Sequence, residues 1–263
     1  MLVYTFPYIT VNVTMKKFFT PDDYTLIIDD VSASQAENLL QKFNRLHKYL
    51  EPRFKPAAIS LYPYTPQGQA RQVIQPSVTG APLSLVYYRG RTQAEVVERL
   101  MGRDQIGEAF KIAPQRHPVI EVRLSPQHYV IELILSPQAW WDQRNLVGKL
   151  SVDRHRKSFF DLLQKLGEGY HIGFWPGGAL GEMELSVTKF THIKIFEEWM
   201  STFSVGKDWF RIGRWYTPDE AHIDEEHIFE ETMRQIRALY GLYSTILWTG
   251  DNNFHRFYQQ PAP

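Results

Sequence analysis

Four stretches of this chain bring together residue types that can do chemistry. The first reads Trp140-Trp141-Asp142-Gln143-Arg144-Asn145-Leu146-Val147-Gly148-Lys149 and runs on to Arg154-His155-Arg156-Lys157. Guanidinium and ammonium groups neutralise phosphates, and indole faces stack on planar groups. Residues 142–157 hold five basic side chains against two acidic ones, so this segment is locally positive. A pair of amphipathic helices with buried tryptophans and a solvated basic face accounts for the same pattern. The second stretch is Lys207-Asp208-Trp209-Phe210-Arg211-Ile212-Gly213-Arg214-Trp215-Tyr216. In a strand, Trp209, Arg211, Gly213 and Trp215 share one face, while Phe210, Ile212, Arg214 and Tyr216 share the other. An arginine between two tryptophans suits cation–π contact or an anion clamp. A strand whose Trp–Arg ladder covers the core is the competing explanation. Trp141, Arg144, Asn145, Lys149, Arg211, Arg214 and Trp215 are therefore the candidate ligand-binding residues. The ligand expected from them is anionic, either nucleic acid or a phosphorylated small molecule.

The third stretch carries His222, Asp224, Glu225, Glu226, His227, Glu230 and Glu231. Helical spacing of four, as between His222 and Glu226, can hold a divalent cation. The His-Glu-x-x-His signature is missing, and acid near a helix N-terminus is expected from the macrodipole. A solvated acidic face is the preferred reading, and no metal site is assigned. The fourth feature is a pair of strand carboxylates. If a hairpin closes through four residues, Ser125 to His128, then Leu124 faces Tyr129 and Glu121 faces Glu132. Paired carboxylates repel unless a cation or a shared proton intervenes, and Arg123 lies two residues away. With Glu182 or Glu184, this pair forms the alternative candidate, a metal-dependent hydrolase or nuclease. A three-residue turn would part the two. No nucleophile elbow and no phosphate-loop spacing occurs, so no motif fixes a reaction or a cofactor.

The elements that must position these residues follow from periodicity. Alternation predicts strands at Val3–Thr5 and Ile9–Val13 and at Tyr24–Asp29. A capping box at Ser34-Gln35-Ala36-Glu37 opens a helix that Pro52 should stop. Residues 55–82 hold five of the sixteen prolines, with a short strand at Ile59–Tyr62, and are the candidate sub-boundary or flap in an otherwise single domain 1–263. A strand at Leu83–Tyr88 precedes a second capping box, Thr92-Gln93-Ala94-Glu95. Val119–Leu124 and Tyr129–Leu135 form a hairpin, Ser136-Pro137 starts a helix, and Ser151 caps the next one. A second hairpin joins Tyr170–Trp175 to Met183–Val187, and helix His192–Phe203 and strand Trp209–Tyr216 follow. Thr217-Pro218-Asp219-Glu220 signals a helix reaching Tyr240, followed by a short strand at Thr245–Trp248. Hairpins separated by helices predict an α+β fold, an antiparallel or mixed sheet with helices packed on it.

Bulk properties narrow the partners. The 263 residues contain 29 basic and 29 acidic side chains, so no global field draws the protein to nucleic acid or a membrane. Cysteine is absent, which removes disulfides, thiolate nucleophiles and cysteine-ligated metals. Lys16 and Lys17 follow the first apolar stretch instead of preceding it, the wrong order for a secretory signal. A cytoplasmic address without membrane insertion is expected, with the oligomeric state open.

The second half resembles the YktB-like family of uncharacterised bacterial proteins. The resemblance rests on His117-Pro118-Val119-Ile120-Glu121-Val122 leading into His128–Leu135, and on Gly169-Tyr170-His171-Ile172-Gly173-Phe174-Trp175. It rests also on Phe210-Arg211-Ile212-Gly213-Arg214 with a closing Leu239-Tyr240-Gly241-Leu242-Tyr243. It implies a compact α+β fold and no particular activity.

Overall fold

The computed structural model describes residues 16–25, 33–65, 72–81, 83–102, 112–181 and 184–254. The strands expected within residues 3–13 lie outside them, as does Glu182. Among the described residues, eight strands build one antiparallel sheet: β1 (Tyr62–Pro63), β2 (Ile74–Gln75), β3 (Ser84–Tyr88), β4 (Val119–Leu124), β5 (Tyr129–Leu135), β6 (Tyr170–Gly173), β7 (Glu184–Ser186) and β8 (Phe210–Tyr216). Their order is β1-β3-β4-β5-β8-β6-β7, with β2 also paired to β3. Seven α-helices accompany the sheet among the described residues: α1 (Pro21–Thr25), α2 (Ala33–Phe54), α3 (Arg91–Leu100), α4 (Trp140–Leu150), α5 (Asp153–Gln164), α6 (Ile193–Met200) and α7 (Ile228–Ile246). The α+β class is as expected. No helix among the described residues is long and apolar enough to cross a membrane.

The central hairpin sets the register of the rest. Ser125 N–H donates to the His128 carbonyl at 2.8 Å, so the turn has four residues and Glu121 faces Glu132. On the other side of β5, Glu132 faces Gly213. A Cβ at Gly213 would lie 2.5 Å from the Ile131 carbonyl oxygen, so only glycine allows this close pairing. Alternation then gives the sheet two unlike faces. The first carries Leu85, Ile120, Ile131, Leu133 and Ile212 into the main core, which α2, α4, α5 and α7 cover with Phe43, Leu46, Leu146, Phe159 and Ile236. The second carries Val86, Val119 and Ile134 against Ala94 of α3 at one end, and Val130 and Trp215 against Trp175 at the other. Between these apolar patches the second face is charged.

Several local expectations are corrected. Tyr24 and Thr25 end α1 instead of starting a strand. Thr20 N–H is bound by Asp23, which also holds Lys42, and this favours the helical turn. Pro52 sits in the last turn of α2, where few backbone bonds remain to be lost, and the chain leaves the helix through Ala58 at φ 55°. Helix α3 is preceded by Gly90 at its N-cap, so Thr92 lies inside the first turn and caps nothing. Ser151 closes α4 by donating to the Gly148 carbonyl, and Val152 precedes α5. The Thr217–Glu220 box forms its bond, yet α7 starts only after Asp224 accepts from the N–H groups of Glu226 and His227. Helix α7 then runs to Ile246, absorbing the start of the expected strand at Thr245–Trp248. The proline-rich stretch contributes β1 and β2, both paired to β3.

Candidate functional site

The sheet separates the residues expected to clamp an anion. Arg211 is fully buried on the second face, where its Nε and Nη2 donate to Glu132 at 3.1 and 2.5 Å and its Nη1 donates to the Gly177 carbonyl at 2.5 Å. Arg123 donates to Glu132 at 3.0 Å and to the Gly178 carbonyl at 3.3 Å. The Arg211 guanidinium carbon lies 4.5 Å from the Trp175 ring centre, and that of Arg123 lies 4.9 Å from Trp215. Glu121 accepts from the Ser77 hydroxyl at 2.8 Å and from Val78 N–H at 3.1 Å. Burial pushes the Glu121 carboxyl above its ordinary range, against the pull of Arg123 and of these donors. It also lowers Arg211, against the pull of Glu132. Loops 76–81 and 174–181 are thereby tied onto the sheet. The Arg–Trp ladder is a roof tie, with both guanidiniums taken up by Glu132 and by loop carbonyls.

Arg214 faces the other way and lies 4.9 Å over Tyr216. Helix α4, on the first face, uses its polar side to clamp the chain that follows α7. Asn145 donates to the Ile246 and Asn252 carbonyls at 3.0 and 3.1 Å and accepts from Phe254 N–H at 2.9 Å. Lys149 donates to the Thr245 carbonyl at 2.5 Å and also holds Asn252. Burial lowers the Lys149 pKa to about 8. Trp141 packs edge-to-face against Trp248 with centroids 5.9 Å apart. Of the seven residues expected to bind a ligand, Arg144 alone is exposed. In the positive run beyond α4, Arg156 lies on Asp153 at 2.5 Å and also on Glu197, and Lys157 lies on Asp161 at 2.8 Å. The single anion clamp expected from the sequence is not assembled.

The carboxylate candidates fare similarly. Glu121 and Glu132 are neighbours, as the four-residue turn predicts, but two guanidiniums occupy Glu132. Glu184 sits 3.5 Å from His171, at the edge of the sheet. In the run from His222 to Glu231, Asp224 holds His227 Nδ1 at 2.7 Å, Glu225 pairs with Lys16 at 2.8 Å, and Glu231 binds Arg234 and Tyr216. Among the described residues, no group of three or more His, Asp or Glu side chains is placed to hold a metal ion.

A different site lies where β1, the start of α3 and the end of α7 meet. A cavity of about 790 Å³ is walled by Tyr62, Tyr64, Tyr88, Tyr240 and the turn Gly90–Gln93, with Ser60, Thr65, Leu247 and Thr249 completing its rim. Strand pairing places Tyr62 opposite Tyr88. The Tyr64 ring meets Tyr88 edge-on at 5.7 Å, and its hydroxyl donates to the Ile112 carbonyl at 3.1 Å. Tyr240 accepts from Ser60 N–H at 2.9 Å, which leaves its own hydroxyl proton to donate. A Cβ on Gly90 would come within 3.2 Å of the Tyr62 ring, so glycine lets that ring lie on the helix start.

The electrostatics of this cavity favour an anion. Gly90 offers no side chain to cap α3, so the N–H groups of Arg91, Thr92 and Gln93 have no intrahelical acceptor, and the helix dipole points its positive end here. The Arg91 side chain is 70 % exposed and reaches Glu95 at 3.0 Å. Tyr88 is only 5 % exposed and lines the cavity, yet no hydrogen bond engages its hydroxyl among the described residues. Burial raises the Tyr88 pKa to about 12 and raises Tyr64 as well, so both are hydrogen-bond donors at neutral pH. Behind the wall, Arg89 binds the Trp248 carbonyl at 2.9 Å and pairs with Asp142, while Glu98 holds Arg116 at 2.9 Å and His117 at 3.4 Å. Burial lowers the His117 pKa, against the pull of Glu98. These buried pairs fix the strand end and α3, and so fix the cavity.

The sequence does carry a signal for this site. Tyr62-Pro63-Tyr64 and Tyr87-Tyr88-Arg89-Gly90-Arg91 set aromatic rings beside a glycine that opens a helix. Only the pairing of β1 with β3 shows that the two stretches meet. No family model matches the chain, and no curated protein matches it.

Proposed function

We propose that this protein is a binding module for a small phosphorylated ligand held in the tyrosine cavity, with the phosphate on the first turn of α3. One observation carries the reading: the uncapped first turn of α3, Arg91 to Gln93, lines the same concavity as Tyr88, whose hydroxyl bonds to no described residue. This keeps the anionic chemistry expected from the sequence and moves it to different residues. A helix start contributes roughly 0.3–1 kcal/mol to an anion, up to about 2 when partly buried, and a charge-assisted bond from Arg91 adds to it. Lys149, Arg156 and Lys157 of α4 and α5 are taken up by acids or backbone carbonyls, which disfavours nucleic acid there. The reading includes a cytoplasmic address. The resemblance to the YktB-like family brings no activity, and no reaction is assigned.

The test is calorimetric titration at low salt with ribose 5-phosphate and with inorganic phosphate. Both should bind. Arg91→Ala and Tyr88→Phe should each weaken ribose 5-phosphate by about threefold to thirtyfold, corresponding to roughly 0.5–2 kcal/mol for a lost donor. Arg144→Ala should leave binding unchanged. Absence of binding, or equal loss in Arg144→Ala and Arg91→Ala, would overturn the assignment.

A further inference from the structure

We propose that the ligand is a mononucleotide, with its base stacked on Tyr62; this rests on the phosphate reading above and deepens it. Among the described residues, Tyr62 is the only aromatic one in the set of exposed large hydrophobic side chains, at 52 % exposure. Solvent-facing rings of this kind present an apolar face for another planar group. The backbone pairing of Tyr62 with Tyr88 fixes its position, and Gly90 lies directly against its ring. Gly90 is also the residue from which the first turn of α3 begins. Platform and phosphate site are therefore contiguous.

That closeness sets the ligand's shape. A planar group resting on Tyr62 and an anion on residues 91–93 leave room for a compact linker such as one pentose. The cavity, at about 790 Å³, is of the size that encloses ligands of nucleotide dimensions. Its remaining groups suit the polar edges of such a molecule. Gln93 offers an amide that both donates and accepts, and Thr65 offers a hydroxyl. Tyr240, held by Ser60, donates its hydroxyl proton from a fixed place. The Tyr88 ring is buried at 5 % exposure and lines the same cavity, and its hydroxyl bonds to no described residue, so a donor side chain accompanies the uncapped helix start.

The experiment titrates the full chain with AMP, CMP, adenosine and ribose 5-phosphate, using the natural sequence, Tyr62→Ala and Tyr62→Phe. A base on an aromatic platform contributes roughly fivefold to 150-fold in affinity. AMP and CMP should both bind at least about tenfold tighter than ribose 5-phosphate, since stacking tolerates either base. Tyr62→Ala should weaken AMP at least about fivefold more than it weakens ribose 5-phosphate, while Tyr62→Phe should keep the preference. Tyr62 lies half-exposed on an edge strand, and an unchanged thermal midpoint would confirm that both variants fold. Equal binding of AMP and ribose 5-phosphate would overturn the base platform and leave the phosphate site standing. Adenosine binding as tightly as AMP would overturn the phosphate site.

Discussion

Two guanidiniums close on Glu132 from neighbouring strands, and all three side chains are fully buried. Glu132→Ala would leave Arg123 and Arg211 in the interior without their shared counter-charge. We expect a loss of about 3–5 kcal/mol, read from urea unfolding midpoints. A midpoint within experimental error of the natural protein would contradict the roof-tie role. Glu121 behaves differently, because burial raises its pKa. A carboxyl with a folded pKa above its unfolded value retains a proton that the unfolded chain releases. Its favourable contribution is present below the unfolded pKa and is lost as pH rises through the folded one. Glu121→Gln should therefore gain stability relative to the natural protein as pH rises from about 4.5, the ordinary value. Comparing the two proteins at each pH separates this effect from the oppositely shifted Glu98 and Glu231. A stability difference that does not vary with pH would refute it.

At the scale of elements, local chemistry made some of the structure legible. The β4–β5 hairpin was readable from its two apolar strands and its turn residues, but its register stayed open between a three- and a four-residue turn, which only the Ser125–His128 backbone bond decides. The start of α7 was not readable, because two capping signals compete. The Thr217–Glu220 box forms, but Asp224, buried and bridged to Lys17, captures the amides that open the long helix. Asp224→Ala should cost about 0.5–2 kcal/mol, the usual range for a lost cap, measured by thermal unfolding. The polar face of α4 read as a ligand surface because a sequence does not show that residues 245–254 return to satisfy it. Asn145 binds three backbone groups of that returning chain. Asn145→Ala should raise hydrogen exchange and proteolytic cutting at residues 247–254 before the rest of the fold is affected. Protection equal to that of the natural protein would show that Lys149 holds the chain without it.

Over the whole molecule, zero net charge conceals a sharp division between faces. The helix-covered face is the apolar core, while the opposite face buries charge beneath two loops and a single helix. Alternation along β4, β5 and β8 predicted which residues share a face, and it placed Arg211 and Arg214 apart once the strand was known. It could not show that Glu132 would meet both Arg123 and Arg211, because that depends on β8 joining β5 across a long separation. The tyrosine cavity has the same origin: its walls come from β1, α3 and α7, and no local pattern unites them. The central claim is that the first turn of α3 is where a phosphate binds. Backbone amide NMR during titration with ribose 5-phosphate tests it most directly. The N–H signals of Arg91, Thr92 and Gln93 should move furthest and saturate together; if they stay still while amides elsewhere respond, the phosphate site is not there.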